Sequence, residues 1–153
     1  MQEILMLLLL TAILLSITVA IHGFGIMFWR RCLAKRFFDA DGTMRERKAL
    51  AAITSTAFVL MVLHLLQIMV WAIAYRLLLP GDALKTFEEA FYFSAVTFTT
   101  LGYGDISLAE PGWRLLSGIE ALNGILLVGW TTAFLFLVVQ RSWTAPAREH
   151  GGA

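Results

Sequence analysis

Three long apolar blocks, residues 4–28, 49–75 and 115–139, carry little or no charge. A bilayer core of about 30 Å takes roughly 20 helical residues, so each block is long enough to cross. The second extends to residue 79 if Arg76 snorkels to the interface. Between the second and third blocks the pattern changes. Pro80-Gly81 stops a helix, and Thr86-Phe87-Glu88-Glu89 reads as a capping box in which Thr86 caps and Glu89 reaches back. A helix over residues 87–99 would be about 20 Å long, too short to span. It is expected to be re-entrant and buried in protein, because irregular backbone is not tolerated against lipid. Phe91, Tyr92, Phe93 and Phe98 offer it packing surface. Trp29, Trp113 and Trp143 read as interfacial anchors. His22-Gly23-Phe24-Gly25 in the first span allows close packing or a bend.

Composition agrees with membrane embedding: 59% of the residues are hydrophobic, above the share usual in soluble domains. A net charge of +1 gives no footprint for nucleic acid. The distribution of charge says more. Arg30, Arg31, Lys35, Arg36, Arg45, Arg47 and Lys48 crowd the first linker, and Arg141 and Arg148 follow the third block. The intervening segment holds only Arg76, Lys85 and Arg114. The positive-inside rule therefore predicts a multi-pass protein with its N-terminus outside and its C-terminus cytoplasmic. Met1-Gln2-Glu3 lacks the basic start of a signal peptide, so the first helix is expected to be retained. Phe37-Phe38 suggests a separate short helix on the inner surface. Asp39-Ala40-Asp41-Gly42 lacks the later ligands of a calcium loop and reads as a turn. The lone Cys32 excludes an intrachain disulfide and reads as an unmodified thiol rather than a palmitoylation site.

The chemistry concentrates in Thr99-Thr100-Leu101-Gly102-Tyr103-Gly104-Asp105, directly after the short helix. Two glycines one residue apart admit backbone dihedrals that other residues resist. Consecutive carbonyls can then turn toward one axis, where four copies would replace the water shell of a cation. The stretch resembles the selectivity filter of potassium channels, whose usual form is Thr-Val/Ile-Gly-Tyr-Gly-Asp; Leu101 stands at the Val/Ile position. The resemblance, to bacterial two-transmembrane pores with an extra N-terminal helix, covers residues 49–140.

The resemblance implies an all-α membrane protein with three transmembrane helices, a re-entrant pore helix and a filter, assembled as a tetramer. The divisions are an added helix (1–30), a basic linker (31–48), an outer helix (49–79), a pore loop (80–112), an inner helix (113–140) and a short tail (141–153). Thr100, Leu101, Gly102 and Tyr103 would hold potassium ions, and Gly104 would complete the outer mouth. Thr99, Asp105 and Val96 would support the filter. Gly124 falls at the family's hinge position, and Gly129 is a second candidate. Potassium ions, the bilayer of the plasma membrane and three further copies of the chain are the implied partners. No cofactor is implied beyond the permeant ion.

The inner-helix pattern fits that reading. Val128, Thr132 and Phe136 share one helical face, and with Ile125 they could line a cavity. Phe136 is a candidate dewetting gate. Glu120 and Asn123 are costly at membrane depth. Two readings stay open for Glu120: it braces the pore helix through a group such as Thr97, or it titrates and couples pH to the filter. His64, spaced with Gln67 on one face, is open to the same pair. Val96 occupies a position where some family members place a glutamate paired to the filter aspartate, and Tyr92-Phe93 replaces a common tryptophan pair. The expected function is passive, potassium-selective conduction. The alternatives are a non-selective cation channel of the same fold and a non-conducting scaffold subunit. No nucleophile set, metal cluster or phosphate loop points to an enzyme.

Overall fold

The computed structural model describes residues 2–38, 48–79 and 84–143. Along them run α1 (Gln2–Phe37), α2 (Ala49–Leu78), α3 (Phe87–Phe98) and α4 (Pro111–Trp143). Helices α1, α2 and α4 are long and apolar enough to cross a membrane. The readings placed on Asp39–Gly42, Arg45, Arg47, Pro80-Gly81 and the tail beyond Trp143 fall outside the described residues.

Helix α2 runs antiparallel to α1. Trp29 Nε1 donates to Thr56 Oγ1 at 3.0 Å, and Gly25 lies against Leu63. Helix α4 runs parallel to α1, from Gly112 beside Leu7 to Val138 beside Phe37. The glycines of α1 therefore serve close packing, and the helix passes through them unbroken. It also continues past Arg30-Arg31. Phe37 belongs to this same helix, not to a separate surface helix. Leu33 and Phe37, one turn apart, are buried against Ala52 and Val138, so the apolar stripe carries the helix onward.

The short α3 forms as its cap predicts. Thr86 Oγ1 accepts from Glu89 N at 3.1 Å, and Glu89 Oε2 accepts from Thr86 N at 3.1 Å. Phe93 and Phe98 are buried in the main core with Trp71, Tyr75 and Leu116. Phe98 reaches Gly124, about 20 Å down α4 from Pro111 at 1.5 Å per residue. The helix thus ends about midway through the bundle, with residues 99–110 returning to the start of α4.

Candidate functional site

The end of α3 sets the geometry of the loop that follows. Thr99 caps the helix, and Thr100 takes a positive φ of 58°. Thr100 N donates to Thr97 O at 2.9 Å, and Leu101 N donates to Val96 O at 3.0 Å. That pair of bonds is a Schellman closure, which normally places glycine in the left-handed position. A β-branched threonine there costs about 1–2 kcal/mol, the sort of strain that collects at functional sites. Gly102 and Gly104 follow with φ of 56° and 78°, so every second residue from 100 to 104 is left-handed. Gly102 N also turns back to Val96 O at 3.3 Å. Three successive N–H groups are thereby tied to the helix end. Among the described residues, no donor reaches the carbonyls of Thr100, Leu101, Gly102 or Tyr103. Leu101 and Tyr103 are 55% and 67% exposed.

Tyr92 supplies a support that the sequence reading missed. Its hydroxyl donates to Asp105 Oδ2 at 2.7 Å. This bond holds the Asp105 carboxyl below the usual aspartate range and raises the Tyr92 hydroxyl above its own. A phenol thus engages the aspartate, while Val96 contributes only its backbone carbonyl. The aromatic at position 92 was the available signal. Tyr92, Thr97, Gly102 and Asp105 line a cavity of about 230 Å³ beside the loop.

Glu120 is fully buried and joins three helices. Its Oε2 accepts from Tyr75 OH at 2.8 Å, and its Oε1 accepts from Ser94 Oγ at 2.5 Å. Ser94 Oγ also lies 3.1 Å from Ile68 O. The brace expected at Thr97 falls on Ser94 instead, because α3 and α4 run side by side in the same direction. Gly124 meets Phe98, so Glu120, one turn earlier, meets the residue one turn before Phe98. A buried carboxyl group with two hydroxyl donors is matched as buried polar groups require.

The structure brings the other polar positions together around α1. Asn123 Nδ2 donates to Thr18 Oγ1 at 2.7 Å. Gln67 lies 3.0 Å from both His64 Nδ1 and His22 Nδ1. Thr131 Oγ1 sits 2.9 Å from His64 Nε2. His64 also lies with its ring centre 5.8 Å from that of Phe98. His22 and Thr131 complete this cluster; the linear pattern marked His22 only as part of a glycine-containing stretch and did not mark Thr131. Gly124 is a contact point: a Cβ there would lie 1.8 Å from Phe98 O. Gly129 faces open space, and α4 continues through both. Ile125, Val128, Thr132 and Phe136 are all exposed on the single chain.

A family model described as "Ion channel" matches residues 58–141. Among curated proteins, "Potassium channel subfamily K member 18" of Mus musculus is 49% identical over 39 residues, covering 26% of this chain and 10% of that protein. "Two-pore potassium channel 4" of Arabidopsis thaliana is 36% identical over 50 residues, covering 33% of this chain and 18% of that protein. The chain therefore spans less than a fifth of the length of these relatives. No solved structure matches it. The family model covers more than half of a chain that, among the described residues, has three helices long and apolar enough to cross a membrane; this protein belongs to the ion channel family.

Proposed function

We propose that the chain forms a potassium-selective channel that conducts passively, with residues 100–104 of four copies as its filter. One observation carries this reading. Four consecutive carbonyls, from Thr100 to Tyr103, have no donor among the described residues, while the N–H groups of Thr100 to Gly102 are tied back to α3. Alternating left-handed residues gather successive N–H groups on one side of a backbone, which leaves the carbonyls to the other. Four such strands about an axis would supply the oxygens that replace an ion's hydration shell. Residues 99–105 form one such loop, and a closed ring of oxygens takes several about one axis. The exposed side chains of Leu101, Ile125, Val128 and Phe136 suit burial against those copies or the pore. The negative end of the α3 dipole adds to the attraction for a cation. Positive-inside asymmetry supports a loop on the outer side of the membrane, and the plasma membrane is the proposed location.

Leu101, in the place of the usual Val or Ile, favours one alternative, a less selective cation channel of the same fold. Reversal potentials of reconstituted protein in mixed potassium and sodium decide between them. A reversal at the potassium equilibrium potential, blocked by barium, supports the proposal. A reversal near zero gives the non-selective channel. Absence of flux from correctly assembled protein leaves the non-conducting scaffold.

A further inference from the structure

A groove of about 670 Å³ runs between α1 and α4 in the half of the bundle away from residues 100–104. Its walls are apolar, with Ile26 and Leu33 on one side and Phe134 and Leu137 on the other. Trp130 closes the end nearer the loop: a Cβ on Gly23 would sit 3.5 Å from its indole. Arg30 and Arg141 edge the groove, about 10 and 16 Å along their helices from Gly23 and Trp130. The Arg141 guanidinium also lies 6.0 Å from the centre of the Phe38 ring. Among the described residues, no acidic side chain lines the groove.

We propose that this groove binds one anionic phospholipid, with an acyl chain along the apolar walls and the phosphate held by Arg30 and Arg141. An apolar slot between membrane helices with a cationic edge has the chemistry of such a site. Guanidinium groups are suited to phosphate oxygens. The groove lies on the face of α4 turned away from Val128, Thr132 and Phe136, given 100° of rotation per residue. A second copy of this chain fits it poorly. Residues 20–37 of α1, 49–65 of α2 and 125–143 of α4 contain no acidic residue, so any of these helices packed there from a neighbour would cover two guanidiniums without compensation.

The test is lipid retention, which is independent of whether the chain conducts. Purified full-length protein is equilibrated with equal phosphatidylglycerol and phosphatidylcholine, and bound lipid is counted by native mass spectrometry. Wild type should keep one phosphatidylglycerol per chain, preferred about tenfold over phosphatidylcholine. The R30Q/R141Q variant should lose that preference. R31Q/K35Q removes the same charge from exposed positions outside the groove and should keep it. Gly23→Leu, which fills the space under Trp130, should lose the lipid with every arginine present. Equal retention of the two lipids by wild type overturns the proposal and needs no variant to fold. Equal loss in R31Q/K35Q reduces the effect to diffuse charge and overturns it as well. So does oxidative cross-linking of Leu137→Cys between copies in a Cys32→Ala background, which would put a second chain in the groove.

Discussion

Gly124→Ala separates two physical roles for the glycine of the inner helix, because they predict opposite signs. If Gly124 serves only as a flexible joint, alanine should stiffen α4 and stabilise the protein by about 0.5–1 kcal/mol, the usual gain in a helix interior. The structure argues otherwise. The new Cβ would lie 1.8 Å from Phe98 O and 2.8 Å from Phe98 C. Contacts under 3.0 Å are essentially never seen for Cβ atoms, so going from 1.8 to 3.0 Å demands a separation of about 1.2 Å. The atoms in the way are backbone, and no rotamer change relieves them. Overpacking of this kind costs about 1–3 kcal/mol. The displaced element is the end of α3, whose Schellman turn aims residues 100–104. Thermal unfolding in detergent should therefore fall by several degrees, with potassium flux into vesicles reduced in parallel. Gly129→Ala is the control, since nothing lies within 4 Å of its added Cβ. A Gly124→Ala protein that melts at or above wild type would refute the close-packing argument.

Ser94→Ala removes one of the two hydroxyl donors to buried Glu120; a loss of about 1–3 kcal/mol is expected and can be read from the same melting assay. Tyr92→Phe breaks the bond to Asp105. In wild type this bond lowers the Asp105 carboxyl's affinity for protons, so its support is present at neutral pH and lost as pH falls through the lowered value. The variant should therefore titrate at higher pH, and flux measured across an acid series should begin to change earlier than in wild type. Phe136→Ala removes the candidate gate and should raise resting flux severalfold; unchanged flux would assign Phe136 to packing.

The legible parts of this chain were those written in local pattern. The three spans follow from run length alone, and α3 follows from Thr86 and Glu89 with the aromatics behind them. Legibility ended where a partner lay on another helix. Glu120 could be recognised as needing a donor, yet its donors Tyr75 and Ser94 lie 45 and 26 residues away. The sequence placed Asp105 without its usual carboxyl partner; Tyr92, in the middle of the pore helix, fills that role across the loop. His22 was a lone polar residue until α2 brought Gln67 against it.

By itself, the sequence determined that this chain crosses a membrane three times and folds a short capped helix between the last two crossings. Hydrophobic run length, turn residues and capping are properties of contiguous residues, and a bilayer reads them directly. Only the tertiary structure decided that Gly124 is the seat of the pore helix, that Glu120 ties three helices together, and that α1 and α4 leave a groove edged by Arg30 and Arg141. Those facts depend on the direction and register in which helices pack, and single-helix periodicity contains neither.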